Sequence, residues 1–214
     1  MIDLYTWATP NGKKISIALE ELDLPYRVHK IDISTGDQFT PEFTRVSPNR
    51  KIPAIVDQEN GITLMESGAI LMYLADKAGR LAPREPQAYW QVVQWLMWQK
   101  AGFGPMLGQA AHFLAYNRGK SEYSEARYHQ EAQRLYGVLD TQLAKSEFIA
   151  SDEYSIADIA AWPWTARHDL QSIDLHHYPN VLRWYMAIAA RPAVIRGWAV
   201  PLPAEVPLPK RFDD

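Results

Sequence analysis

The sequence is most informative at Tyr5-Thr6-Trp7-Ala8-Thr9-Pro10-Asn11-Gly12-Lys13-Lys14. On its N-terminal side Ile2, Leu4 and Thr6 alternate with Asp3 and Tyr5, the period of a short strand. On its C-terminal side Ile15, Ala18, Leu19 and Leu22 recur at helical spacing. Thr9 to Gly12 is therefore a strand-to-helix turn. It carries a hydroxyl and an amide at a helix start, where backbone N–H groups lack intrahelical partners and the dipole favours negative charge. The turn offers no Cys, His or carboxylate. A nucleophile used here must arrive with a ligand.

Outward from this turn, the first eighty residues switch between the two periods. Residues 26–31 alternate as a second strand, 34–38 are a polar loop, a short helix is predicted around Pro41–Val46, and 47–51 is loop. Ile52-Pro53 opens the apolar run Ala54-Ile55-Val56, and a strand's first residue is one of the few places a sheet accepts proline. Asn60-Gly61 is a hairpin signal, which makes residues 62–65 the partner strand. Glu66-Ser67-Gly68 then opens a helix with Ile70, Leu71, Tyr73, Leu74 and Ala78 on one face. Strand, helix, strand, then strand, strand, helix is the thioredoxin-like order, a small mixed sheet carrying helices.

Pro83 and Pro86 punctuate a linker, and from residue 89 onward the periodicity is helical. Trp90, Val93, Leu96, Met97 and Ala101 trace one face of a long helix, with Trp95 and Trp98 as further bulk; Gly102-Phe103-Gly104-Pro105 must bend or break it. A second helix is predicted over residues 121–144, with Leu135, Val138, Leu139 and Leu143 inward. Ser155 and Asp158 have capping-box spacing, with Asp in place of Glu or Gln, and Tyr154 and Ile159 occupy the staple positions. Pro179 and Pro192 suit the starts of two more helices. The expected organisation is an α/β domain over residues 1–80, an all-α domain over 87–200, and a loosely attached Pro-rich tail over 201–214.

Composition narrows the function. Of 214 residues, 47% are hydrophobic and 22% charged, a globular balance with room for one or two domains. The net charge is −3, and residues 1–80 carry 9 basic and 11 acidic side chains against 13 and 14 in the rest, so neither half suggests a nucleic-acid partner. No 18-residue apolar run and no signal-peptide pattern point to a membrane, and a cytoplasmic location is the default expectation. The absence of Cys excludes disulfides, thiolate metal sites and a protein-borne thiol. His29, His112, His129, His168, His176 and His177 show no metal-ligand spacing, and no metal is expected. Nor is there a GxSxG, Walker A or GxGxxG word.

A thioredoxin-like domain followed by an all-helical one, with a capping box in the second, resembles the glutathione transferase superfamily and its two-domain fold. Narrower words are similar to the nu class, the bacterial glutathione-dependent disulfide-bond oxidoreductases, which are related to a yeast nitrogen-catabolite regulator. These words are Thr9-Pro10-Asn11-Gly12, Gln38-Phe39-Thr40-Pro41-Glu42-Phe43, Lys51-Ile52-Pro53-Ala54-Ile55-Val56-Asp57, Glu66-Ser67-Gly68-Ala69-Ile70, Gly104-Pro105-Met106-Leu107-Gly108-Gln109, Arg134-Leu135-Tyr136 and Tyr154–Trp164; among them Glu66-Ser67-Gly68 and Ser155-Ile156-Ala157-Asp158 mark only the superfamily, whereas the Thr9 and Gly104 words are narrower. The likeness spans nearly the whole chain.

By composition alone, Thr9 and Asn11 are ordinary helix-capping residues; the resemblance implies that they donate to the sulfur of glutathione as the catalytic pair. Tyr5 is the rival activator, since some glutathione transferase classes use a Tyr near the end of the first strand, and it equally suits packing on the sheet. The resemblance implies that Glu66 pairs with the γ-glutamyl ammonium while Ser67 and its helix start take the neighbouring carboxylate; Ser67 also reads as a plain N-cap. It implies that Ile52-Pro53 binds the cysteinyl part through a cis peptide, and that Gln38 and Lys51, otherwise solvated loop residues, hold the glycine carboxylate. Arg134 reads as a surface residue on a helix; the resemblance implies that it reaches glutathione from a neighbouring subunit of a homodimer. Phe103, Met106, Phe113 and Trp164 are expected to line a second-substrate pocket between the domains. Glutathione is the implied co-substrate, with a small disulfide or an electrophile as its partner. Disulfide reduction is the leading expectation; conjugation, peroxide reduction and a non-catalytic glutathione-binding regulator are the alternatives.

Overall fold

The computed structural model describes residues 1–209 and 211. The chain divides into two compact units, Met1–Ala82 with Ala190–Val206, and Pro83–Ala189 with Pro207–Asp214.

In the first unit β1 (Ile2–Thr6), β2 (Tyr26–Lys30), β3 (Ala54–Asp57) and β4 (Thr63–Met65) form one sheet in the order β2-β1-β3-β4. β1 and β2 are parallel, and α1 (Pro10–Glu21) makes the crossover that parallel pairing demands. β1 with β3 and β3 with β4 are antiparallel. Ile2, Leu4, Ile15, Leu19, Ile55, Ile70 and Leu74 are all within 1% of complete burial, so the apolar stripes of α1 and of α3 (Ser67–Ala78) close on the sheet. The short α2 (Pro41–Val46) adds Phe43. Asp57, fully buried at the end of β3, receives Tyr73 Oη at 2.5 Å, Lys77 Nζ at 2.8 Å and the Glu59 N–H at 3.0 Å. Burial pushes its carboxyl up, but these donors outweigh that and hold it at about 2.

In the second unit α4 (Pro86–Trp98) passes through a π-helical segment, Gln99–Phe103, into α5 (Gly104–Ala111) and a second π segment, His112–Tyr116. Residues 102–105 therefore do not break the helix. Its bonds lengthen to the i→i+5 pattern ahead of Pro105, which has no N–H to give. The expected inward face also shifts. Val92, Val93 and Leu96 are buried, whereas Trp90 is 64% and Met97 44% exposed. The stripe runs on into Gln99 and Phe103, one step round the helix from the Trp90–Met97 line. α6 (Glu122–Leu143) starts at an N-cap Ser121 and buries Leu135, Tyr136, Leu139 and Leu143. α7 (Ile156–Thr165) carries the complete Ser155/Asp158 capping box. Asp158 is fully buried, and its carboxylate accepts from Ile149 N, Trp184 Nε1, Ser155 N and Ser155 Oγ at 2.9–3.0 Å. α8 (Pro179–Ala189) completes this unit.

Two expectations about the C-terminal end change. Residues 190–206 belong with the first unit, because α9 (Pro192–Trp198) packs on α1. The tail is also held at Pro207, whose carbonyl accepts from Tyr185 Oη at 2.5 Å, and just before it Lys13 Nζ donates to Val200 O at 2.8 Å. Residues 210 and 212–214 of the expected tail lie outside the described residues. Among the described residues no helix is long and apolar enough to cross a membrane, and no group of three His, Cys, Asp or Glu side chains could hold a metal ion.

Candidate functional site

Register brings the sequence motifs of the first unit to one end of the sheet. Tyr5 pairs with Ala54, and Ala54 with Met65. Adjacent strands lie about 5 Å apart, so the segment leaving β1, the segment entering β3 and the segment leaving β4 emerge side by side. These segments are Trp7–Gly12, Lys51-Ile52-Pro53 and Glu66-Ser67. β2 ends at the same level, since Lys30 pairs with Thr6 and Ile31 N donates to Thr6 O. The chain then continues to Gln38.

At the β1–α1 turn Thr9 is the N-cap residue, with extended backbone (φ −117°, ψ 161°), and its Oγ1 accepts from Gly12 N at 3.2 Å. The capping reading therefore holds for Thr9, whereas Asn11 lies inside the helix. Capping does not compete with a donor role, because a hydroxyl oxygen that accepts a bond keeps its own hydrogen to give. The cap also consumes the Gly12 N–H, and Pro10 has none. The turn therefore addresses a guest more through side chains than through backbone amides. Asn11 follows, half-buried, as the second helical residue. Gly12 is required for close approach: a Cβ there would lie 2.2 Å from Trp7 O and 2.5 Å from Thr6 Oγ1.

The Ile52–Pro53 peptide is cis. Ser47, which the sequence placed in a plain loop, is fully buried. Its hydroxyl donates to Lys51 O at 2.8 Å, its oxygen receives the Lys51 N–H at 3.4 Å, and it touches Met65 Sδ at 3.9 Å. It clamps the approach to Pro53 against the end of β4. The Ser-Pro-Asn turn signal could have suggested an ordered loop, but not this contact across 18 residues.

Glu66 occupies φ 71°, ψ 109°, a conformation that L residues rarely adopt. It stands at the N-cap position of α3, so Ser67 is the first helical residue and not the cap. Ser67 is 2% exposed. Strain of this kind persists only where the surrounding structure over-determines the backbone. Gln38 gives Nε2 to Ile33 O at 3.3 Å, while its Oε1 is buried without a hydrogen bond. An acceptor in that state fits a ligand N–H. Lys51 is exposed. Tyr5 is committed to packing: its ring stacks on His29 at 4.5 Å and lies 6.2 Å from Phe43. Burial, then the charge of Asp3, pushes its hydroxyl up, so it stays protonated.

In the helical unit Arg134 sits on the surface of α6 and donates to both carboxylate oxygens of Glu131, at 2.8 and 2.7 Å. Both line a depression of ≈ 720 Å³ with Met106, Tyr123, Arg127 and Tyr128. Phe113 stacks on Tyr128 with ring centroids 5.4 Å apart. Trp164 lies on the Gly104/Gly108 face of α5, where added Cβ atoms would come within 3.2 Å of its indole. That explains both glycines in the Gly104–Gln109 word. Phe103 differs from the expectation of a pocket wall. It is fully buried, stacked on Trp98 at 4.8 Å and edge-on to Tyr136 at 5.5 Å, and serves the core.

Comparison with known proteins gives the same picture over both units. The glutathione S-transferase N-terminal domain family matches residues 1–76, and the glutathione S-transferase C-terminal domain family matches residues 98–192. The disulfide-bond oxidoreductase YfcG of Escherichia coli strain K12 is 49% identical over 198 residues, 90% of this chain and 92% of that protein. A glutathione transferase from Burkholderia graminis, solved with two glutathione molecules bound per subunit, superposes with a TM-score of 0.89 at 44% identity, covering 94% of this chain and 88% of that one. Another from Pseudomonas putida, solved with one glutathione disulfide per subunit, gives 0.88 at 41% identity and covers 94% and 91%. With two family domains matched in order and this identity over nearly its full length, the chain belongs to the glutathione S-transferase family.

Proposed function

We propose that the protein is a glutathione-dependent disulfide-bond oxidoreductase that borrows its reactive sulfur. The observation that carries this reading is the cysteine-free turn Thr9–Gly12 at the sheet end, flanked by cis Pro53 and the Glu66-Ser67 helix start. The similarity to YfcG, and to a transferase holding glutathione disulfide, supports a disulfide product. In the first step the thiolate of one glutathione attacks a small disulfide, forming one S–S bond and expelling one thiolate. In the second, another glutathione thiolate attacks that mixed disulfide and expels the remaining thiol. Two glutathiones become one glutathione disulfide, and two electrons pass to the substrate.

Thr9 Oγ1–H and the Asn11 amide donate to the attacking sulfur. Glu66 takes the γ-glutamyl ammonium, Ser67 and the α3 N-terminus its carboxylate, Ile52 the cysteinyl backbone, and Gln38 and Lys51 the glycine end. Donors and a helix N-terminus lower a thiol pKa. From about 8.5 to about 6.5, ionisation at pH 7 rises from ~3% to ~75%. A Brønsted slope of ~0.4–0.5 returns roughly tenfold of that gain as lost nucleophilicity. Most of the acceleration therefore comes from aligning two sulfurs. The active species is a cytoplasmic homodimer in which Arg134 serves the partner's site. The exposed Trp90 and Met97 of α4 supply apolar surface for such a contact. Met106, Phe113 and Trp164 face the second substrate.

The test is reduction of 2-hydroxyethyl disulfide by glutathione, coupled to glutathione reductase. Turnover well above the uncatalysed exchange is expected, with large losses in Asn11→Ala and Thr9→Val but not in Thr9→Ser. No rate above background, or faster turnover of an aryl halide, would overturn the assignment.

A further inference from the structure

Helix α1 presents the proposed sulfur donors at its N-terminus, while its flank is tied to a segment 185 residues later in the chain. Lys13 is only 4% exposed. Its ammonium donates to the carbonyls of Trp198 and, at 2.8 Å, of Val200, and it lies 5.2 Å from the centroid of the Trp198 ring. Trp198 is the last residue of α9, so Lys13 sits at the negative end of that helix, where carbonyls lack intrahelical partners. Next to it Ser16 Oγ donates to Gly197 O at 2.7 Å. Gly197 lies flush on α1, where a Cβ would come within 2.6 Å of Ile17 Cα. At the far end of α1, Arg191 holds Glu21 through two bonds of 2.6 and 2.8 Å.

Lys13 is also in the first turn of α1. Its own N–H donates to Thr9 O at 3.0 Å, and it follows Asn11 by two residues. One residue thus bonds the cap residue through its backbone and a remote chain segment through its side chain. Resting on the function proposed above, we infer that Lys13 is a positioning residue for the sulfur-binding turn: by capping the C-terminal end of α9 it fixes where α1 begins, and with it the Thr9 hydroxyl and Asn11 amide. The inference is sharper than a general role in stability. Arg191 grips the same helix from the same segment about 12 Å further along, at 1.5 Å rise per residue, so of these two charged tethers Lys13 is the one beside the turn.

The experiment measures, for wild type, Lys13→Met, Lys13→Arg and Arg191→Gln, the melting temperature, the glutathione-dependent kcat and KM, and the thiol pKa of bound glutathione from thiolate absorbance. Lys13→Met is expected to raise the bound thiol pKa and lower kcat by ~10–100-fold, the penalty for misplacing reacting groups by about 1 Å. Lys13→Arg, which keeps charge and donors, recovers both. Arg191→Gln lowers the melting temperature and leaves the thiol pKa unchanged. If the Met variant does not fold, Lys13→Gln is read by the same measurements. A Lys13 variant that melts lower yet keeps the wild-type thiol pKa and kcat overturns the inference, since the residue is then merely structural. A wild-type protein that binds glutathione but leaves its thiol pKa unshifted overturns this inference alone, whereas one that binds no glutathione, or reduces no disulfide with it, overturns the proposed function itself and this inference with it.

Discussion

Replacing Gly12 by Ala sets two physical effects against each other with opposite signs. Inside a helix, Gly→Ala stabilises by roughly 0.5–1 kcal/mol, because Gly loses more backbone entropy on folding. At Gly12 the new Cβ would stand 2.2 Å from Trp7 O and 2.5 Å from Thr6 Oγ1. The first obstacle is backbone and the second a fully buried side chain, so neither can swing away. To bring 2.2 Å up to a tolerable 3.0 Å, the end of β1 and the start of α1 must part by about 0.8 Å. Overpacking of that kind costs about 1–3 kcal/mol, which exceeds the propensity gain. The net expectation is destabilisation by about 1–2 kcal/mol. A shift near 1 Å at the donor turn should also cost roughly 10–100-fold in kcat/KM for disulfide reduction. Gly137, within α6, is the internal control, since its Cβ would meet nothing within 4 Å. Gly137→Ala should therefore show the propensity gain alone. Urea midpoints and the coupled glutathione reductase assay on both variants decide the matter. A Gly12→Ala protein as stable as wild type, with kcat/KM within about twofold, would refute the reasoning.

Three further outcomes are expected. Because its folded-state pKa of about 2 lies below the ordinary 3.8, Asp57 stabilises the fold fully above about pH 4 and loses that contribution as pH falls towards 2. Lys77→Met should flatten this part of the stability–pH curve, and equal slopes in urea titrations of the two proteins would count against the pairing. Asp158→Ala strands the buried donors of Ile149, Trp184 and Ser155 and should cost about 3–5 kcal/mol, offset in part by no longer burying a carboxyl that burial pushes up. Asp158→Asn should lose about half as much in the same denaturation assay. Ser47→Ala removes the clamp on Lys51, worth about 1 kcal/mol or roughly fivefold, and should raise KM for glutathione while sparing kcat.

The elements that local pattern controls were legible in the residues. The helix over Pro41–Val46, the hairpin at Asn60-Gly61 and the capping box at Ser155 and Asp158 each follow from capping, turn chemistry or periodicity within a few residues. The cis peptide before Pro53 was implied only by the resemblance of Lys51–Asp57 to a known family, because X–Pro bonds in folded proteins are cis only ~5–6% of the time. Legibility failed where a helix had several apolar faces. Trp90 and Met97 match the helical period as well as Val92 does, and only packing against neighbouring helices selects the stripe that is buried. At residues 102–105 Gly and Pro signalled a bend or a break, and the structure has a π-helical segment, Gln99–Phe103, in place of a break.

By itself the sequence determined the order of strands and helices, the absence of a protein thiol and the donor-bearing turn, since each depends on neighbours within one or two helical turns. Tertiary structure alone decided that Tyr5, Ala54 and Met65 share a register, so that three separated motifs meet at one sheet end. It also decided that Ser47 is a clamp, that Glu66 is strained, and that Lys13 reaches across 185 residues to the end of α9. Such contacts form because burial leaves an ammonium or a hydroxyl no water to bond, so it must find whichever partner the fold brings near. Nothing in the spacing of residues along the chain records which partner that is.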